Sequence, residues 1–580
     1  MTATNWLCGD RGCYRKQNRL GKSGGPPKVL DESVRLLLVQ PEMMQPEIEI
    51  HGATDAASDL RTLSASVETS ISPPLIPAPV VTSVWTPTLA DFLFLSLIIW
   101  LFLAGPNGWL ALLSDGDTGW HIRVGDWIRE HGAFPRQDFM SFSKAGEAWY
   151  AWEWGAEVWM SFLHSWAGLK GVVLGLGLLI PAYLLIVFRH AMWRGASPLI
   201  ALPVLLLASG SSAIHYLARP HLFTLLFLAA ALWMVEVDRK NRSAQIWLLL
   251  PLTIVWANLH GGFLSLVACL GLVCAGSALS KDWLMARRYA VLALSCLAVS
   301  VVNPYGYHLH EHIVAYLQSD WIREAVDEFQ SPRFRSEAML FFEVLLFGSL
   351  ISVYRAVRRG NWVDALLVVG WAHLSLSSVR HVPIFLLVAG PILAAELSAW
   401  WKEIVPALPR RAVLRTFDKL SGDLRPGFVR TSIWVLLPAV VMIFVDRPIA
   451  WPKTFPEAKF PVGLVETHRN VIEGKRVLTS DEWGDYLSYR FYPRQRVFFD
   501  GRSDFYGEKL GRAYLSLMGG GVIAEEQVEQ FQFDTVLVPR DWAIQGALRR
   551  NSKWELVADG EKAVLFHRKA SAASGTILRK

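Results

Sequence analysis

Asp115, Asp117, His121 and Glu153 fall in one stretch, Ser114 to Glu157, lying between two long apolar segments. Two carboxylates at D-x-D spacing could share a divalent ion, or one could take a proton from a hydroxyl. The same spacing suits helix capping, because a carboxylate satisfies orphan N–H groups at a helix start. Both readings stand at this level. His121 follows Asp117 by one helical turn, so the two could touch each other or one ligand. Glu153, between Trp152 and Trp154, could have a raised proton affinity and act as acid or base, or be a hydrogen-bonded structural residue.

Four further residues carry comparable potential. Arg219 in LARPHLF is either a phosphate clamp, since guanidinium matches phosphate oxygens in pairs, or an anchor for lipid headgroups. His260 in NLHGGF is a ligand or, with Gly261 and Gly262 beside it, a packing partner. Arg380 and His381 in SSVRHVPIF read as a second anion site or an interface pair. Nearer the C-terminus, SDEWGDYL and FFDGRSDFYG hold Asp481, Glu482, Asp485, Asp500, Arg502 and Asp504, in turns that contact a sugar or ion or are simply structural.

These residues must be positioned by apolar elements. The chain has 580 residues, 52% of them hydrophobic and only 19% charged, with a mean hydropathy of +0.29, which fits an integral membrane protein. About eleven apolar segments follow Leu89: 89–106, 168–188, 198–214, 222–236, 245–258, 262–279, 288–302, 338–354, 362–378, 382–399 and 431–446. Roughly 20 residues cross a hydrocarbon layer. The net charge of +6 comes from short Lys/Arg clusters between these segments. Such clusters report membrane orientation and exclude a nucleic-acid-binding face.

Arg189 with Arg194, Arg239–Arg242, Lys281–Arg288, Arg355–Arg359 and Lys402–Arg430 all fall on the side of the basic N-terminal tail, which the positive-inside rule makes cytoplasmic. The Ser114–Glu157 loop, Arg219, His260, Arg380, His381 and everything after Asp446 are then extracytoplasmic. Their clustering on one face predicts one polar cavity.

Three regions result. Residues 1–88 read as a disordered cytoplasmic tail ending in a Pro-rich run. Residues 89–446 form a transmembrane α-helical domain with a large first extracytoplasmic loop, 107–167. Residues 447–580 read as an extracytoplasmic α/β domain with strands at RVLTS, RVFFD, TVLVP, WELVA and AVLFH and helices at 508–518 and 522–531. Trp120, Val124, Trp127 and Ile128 predict an amphipathic helix lying in the membrane interface. The five cysteines have neither disulfide nor zinc spacing.

DTGWHIRVGDWI, GAFPRQDFMSFS and WEWGAEV, then RPHLF, NLHGGF, NPYG, RHVPIF, WGDYL and DGRSDFYG, resemble a poorly characterised group of large bacterial membrane proteins of the GT-C glycosyltransferase superfamily. The resemblance covers the chain from about residue 89. It implies residence in the bacterial inner membrane and transfer of a hexose or pentose from a polyprenyl-phosphate sugar to an extracytoplasmic glycan or protein acceptor. An acidic residue of the first loop would be general base or metal ligand, a role carried to Asp117 first and Asp115 second, with Glu153 a third candidate. The Asp-Asp or Asp-Glu signature of several branches appears here only as Asp115-Gly116-Asp117, which leaves open whether a divalent metal ion is needed. His121, Arg219, His260, Arg380 and His381 would bind substrate. A transporter or flippase of a lipid-linked or anionic solute is the rival reading, although it should show internal repeats and polar groups on both sides of the midplane. A non-catalytic membrane scaffold is the third.

Overall fold

The computed structural model describes residues 84–104, 108–409, 412–444 and 451–569. The tail expected over 1–88 lies almost wholly outside them, as do Cys8 and Cys13.

The first helix, Leu89–Ile99, begins at a capping box in which Thr88 and Asp91 satisfy each other's backbone N–H groups. Among the described residues six helical segments are long and apolar enough to cross a membrane: 154–193, 198–215, 221–241, 261–279, 337–358 and 379–407. A bent pair, 413–429 with 433–444, raises the number to seven if it counts as one span. Helices at 89–103, 244–257 and 362–377 are apolar but shorter. The difference from about eleven has a physical origin. Hydropathy marks segments that avoid water, but breaks in the chain end several of these helices before they reach spanning length. The first long segment is itself bent at Ala167 and Gly168, where Gly168 takes a φ of 61°.

Helix His221–Asn241 sets the polarity of the bundle. Its 21 residues cover about 30 Å at 1.5 Å per residue. At its end Arg239 binds Glu236 at 2.7 Å and Asp364 at 3.0 Å, and Arg194 joins the same two acids. At its start it carries His221, directly after Arg219 and Pro220. The paired basic cluster and the chemically promising residues are therefore at opposite ends.

The C-terminal region contains a four-stranded sheet in the order β1 (Val477–Leu478), β2 (Thr535–Pro539), β4 (Ala563–Arg568), β3 (Trp554–Asp559). β1 runs parallel to β2, and the other pairings are antiparallel. Helices Ser503–Gly519 and Val522–Gln530 pack beside it over Phe498, Phe499, Tyr514, Val536 and Phe566. RVFFD forms no strand, because Val497 divides its pairing between Val477 and Ser141 of the first loop. It links the two regions instead.

Helix Asp117–His131 is packed on two sides. One side meets helix Trp154–Gly177 and the other meets helix Asp481–Phe491. A Cβ at Gly125 would collide with the Glu157 carbonyl, and one at Gly119 would come within 2.8 Å of Tyr489 Cβ. Trp120, Val124 and Ile128 pack with Met140, Trp149 and Ala151.

Candidate active site

A cavity of about 530 Å³ opens at the end of the bundle that carries His221. Asp117, His121, Glu153, Arg219, His260, Arg380 and His381 all line it. Asp115 stands just behind the wall. Its Oδ1 accepts the Asp117 N–H at 2.8 Å at the helix start, and its Oδ2 accepts from Arg219 Nη1 at 3.0 Å.

Arg219 is the electrostatic centre. It reaches Asp115, Asp117 Oδ2 (2.7 Å) and Glu328 Oε1 (2.9 Å). One guanidinium thus serves three carboxylates. Burial pushes the Asp117 carboxyl up to about 7 because Arg219, so divided, offsets the cost only in part, and Asp115 adds to the rise. Burial also works against ionisation of Glu328, but there Arg219 and Arg380 win and hold the carboxyl below the usual range. Trp120 Nε1 donates to Asp117 Oδ1 at 3.2 Å, which fixes the carboxylate's orientation.

Glu153 has a different setting. His260 Nε2 lies 3.4 Å from its Oε1, and His121 Nε2 lies 3.7 Å from its Oε2. The Gly262 N–H donates to His260 Nδ1 at 2.9 Å, so the neutral ring carries its proton on Nε2, facing Glu153. Burial, then Arg380 and Arg219, drive His260 down to about 3, and burial drives His121 well below its ordinary value. With neutral imidazoles on both oxygens, burial pushes Glu153 up to about 8. His121 Nδ1 meets the fully buried Glu157 at 3.4 Å and stacks its ring on Trp120. His381 is committed to the Leu374 carbonyl at 3.2 Å.

Away from the charged groups the wall turns apolar, through Leu225, Leu264, Ala268, Ile313 and Ile384. These side chains come from the membrane-crossing helices and their connections. The opposite wall carries Gly501, Arg502 and Asp504 from the C-terminal region. A Cβ on Gly501 would collide with Asp117 Oδ1, and its N–H donates to Asp485 Oδ1 at 3.1 Å. Arg502 is buried between Asp138 (2.8 Å) and Asp500 (2.6 Å).

Glu157, Glu328, His312 and Tyr316 also face the cavity and were not singled out as site residues from sequence. Glu157 stands one helical turn after Glu153, which was a usable signal. Glu328 is in an irregular loop without one. Among the described residues no group of three or more His, Cys, Asp or Glu side chains is placed to hold a metal ion. Asp115 and Asp117 each turn Oδ2 to Arg219.

No protein-family model matches the sequence, and no curated protein matches it. Among solved structures the chain is similar to the oligosaccharyltransferase of Archaeoglobus fulgidus tethered with an acceptor peptide, at 12% identity and a TM-score of 0.47, over 78% of this chain and 68% of that one. It is similar to AglB of the same organism in complex with an inhibitory peptide and a dolichol-phosphate (10%, 0.47, 84% and 74%). It is also similar to ArnT from Cupriavidus metallidurans bound to undecaprenyl phosphate (12%, 0.45, 83% and 97%). Similarity of this degree gives no residue a role.

Proposed function

We propose that the chain is a membrane glycosyltransferase that moves a sugar from a polyprenyl-phosphate donor to an extracytoplasmic acceptor. One observation carries the reading: a single cavity joins a poised carboxyl, Asp117, two arginines, Arg219 and Arg380, and an apolar wall made by membrane helices. A lipid-linked sugar phosphate needs these three surfaces together, since its tail must avoid water, its phosphate requires positive charge, and its acceptor requires a base.

In this reading the polyprenyl tail lies along Leu225, Leu264, Ala268, Ile313 and Ile384, and the phosphate faces Arg219 and Arg380. Asp117 takes the proton of an acceptor hydroxyl. The acceptor oxygen forms its bond to the anomeric carbon as the bond from that carbon to the phosphate oxygen breaks, inverting the configuration. The bonding pair leaves with the lipid phosphate. Charge grows on that oxygen, so the guanidinium groups hold the transition state more strongly than the ground state. Asp115 holds Arg219 in place, and Glu153, between two neutral imidazoles, is the alternative proton acceptor. Gly501, Arg502 and Asp504 place the C-terminal region on the acceptor side. No step is routed through a metal ion.

Release of polyprenyl phosphate from a panel of polyprenyl-phosphate hexoses and pentoses, in native membrane vesicles that hold the full chain together with cell-envelope acceptors, tests this directly. Wild type should turn over at least one donor and Asp117→Asn should do so at least roughly a hundredfold more slowly; equal release by both proteins would end the proposal.

A further inference from the structure

Glu328 occupies an unusual place. It sits in a short 3-10 turn, Asp327–Phe329, and projects a carboxylate between the two cavity arginines. Its Oε1 accepts from Arg219 Nη1 at 2.9 Å, and its Oε2 stands 3.6 Å from Arg380 Nη2. Its side chain keeps 28% exposure, so it faces the open cavity and not the core. The turn is fastened beside Arg380. Ser378 Oγ donates to the Glu328 carbonyl at 2.8 Å, the Val379 N–H donates to the Gln330 carbonyl at 2.9 Å, and the Phe329 ring lies 4.4 Å from the Arg380 guanidinium.

A carboxylate with one oxygen toward each of two guanidinium groups holds the position that two phosphate oxygens would take. A phosphate brought beside an ionised Glu328 would meet like charge at contact distance in a partly buried site, where repulsion exceeds that in bulk water. If the phosphate instead replaces the carboxylate, Arg219 keeps Asp115 and Asp117 while the group lost from its third position is matched by the group gained. Ser378 and Val379 immediately precede Arg380, so release of the turn would be felt at that arginine.

We propose that Arg219 and Arg380 form one phosphate site and that Glu328 is its displaceable counter-ion: the donor binds by exchanging its phosphate for the Glu328 carboxylate, and the Asp327–Phe329 turn moves aside. This rests on reading the cavity as the donor site.

Binding to the purified full chain, followed by tryptophan fluorescence with farnesyl phosphate and with inorganic phosphate as probes, tests it without requiring turnover. Glu328→Gln keeps the shape and removes the charge, and should bind farnesyl phosphate roughly tenfold more tightly than wild type. In wild type, farnesyl phosphate should also speed tryptic cleavage at the exposed Arg333 and Arg335 beside the turn. An equal gain with inorganic phosphate supports the exchange and makes the headgroup alone the ligand; a gain confined to farnesyl phosphate supports it with the lipid as source. Unchanged or weaker binding by Glu328→Gln overturns the proposal. If Glu328→Gln binds more tightly yet no donor is ever turned over, the glycosyltransferase reading fails and the counter-ion exchange stands.

Discussion

Arg219 Nη2 lies 2.7 Å from Asp117 Oδ2, and this contact joins the start of the first-loop helix to the residue pair that opens helix His221–Asn241. It decides how the D-x-D stretch reads. Asp115 and Asp117 converge on a guanidinium, and only Asp117 also reaches the cavity.

The two aspartates should therefore separate on substitution. Asp117→Asn removes the base and is expected to lower turnover by a factor of roughly 10² to 10⁴. Asp115→Asn still offers an oxygen to the Asp117 N–H and loses one of three partners of Arg219, so its loss should stay within about tenfold, the scale of one partly exposed ion pair. Initial rates of polyprenyl phosphate release in vesicles compare them. A larger loss for Asp115→Asn would exchange their roles.

The pH dependence should identify the base. Asp117 accepts a proton only when ionised, so kcat/KM should rise with pH and level off above about 7. A limb near 8 would point to Glu153. Stability should move the other way. Both carboxyls hold their protons more tightly folded than unfolded, so their contribution is fully present below the ordinary carboxyl range and is lost as pH rises through 7 to 8. The thermal midpoint in detergent should fall between about pH 5 and 8 and level off above that, and fall less steeply in Asp117→Asn, which has no proton to release at that position.

Much of this site was legible in the sequence because its members are costly where they stand. Arg219, His260 and Arg380 adjoin apolar helices, and a charged or polar group at such a place requires a partner or a ligand. Asp117 and Glu153, in the first loop, were placed on the same side as these residues by the charge of the other loops alone. Glu328 was not legible, since its importance comes from the Arg219–Arg380 geometry and nothing in Asp327–Phe329 signals it. The contribution of Gly501 was hidden for a related reason: DGRSD reads as a turn, and only the approach of Asp117 Oδ1 shows why no side chain fits. The apolar segments expected from hydropathy recur as helices, of which six or seven among the described residues have spanning length, because hydropathy reports what avoids water and not how far a helix runs before it breaks. Trp120, Val124 and Ile128 carried the period of an interfacial helix, but Gly119 and Gly125 let other elements approach closely on both sides.

Gly501→Ala should act on chemistry more than on folding. The added methyl collides with Asp117 Oδ1, and either the turn or the carboxylate must shift. A displacement on the order of 1 Å at a reacting group costs about 10² in rate. Turnover should fall by that factor with the thermal midpoint changed by only a few degrees. Gly507→Ala is the companion variant: it stands in the same segment with a φ of 69° and open space around it, so it should strain the backbone while leaving Asp117 undisturbed.

Arg502 should be the residue that keeps the C-terminal region over the cavity. It is 3% exposed, its Nη1 donates to Asp138 of the first loop at 2.8 Å, its Nη2 donates to Asp500 at 2.6 Å, and the guanidinium lies 4.7 Å from the Trp149 ring. Arg502→Met preserves much of the volume but leaves two buried carboxylates without their cation, a change that typically costs about 3–5 kcal/mol. Arg502→Lys keeps the charge but cannot bind Asp138 and Asp500 through separate forks, so it should fall between Met and wild type. Because Asp138 and Asp500 belong to different regions, the first consequence should be loosening of their junction. Hydrogen exchange should quicken at Phe142 and Val497, whose N–H groups donate to the Val497 and Met140 carbonyls next to this arginine, before it quickens in β2 and β4. Uniform acceleration across the sheet would instead make Arg502 a residue of the C-terminal core.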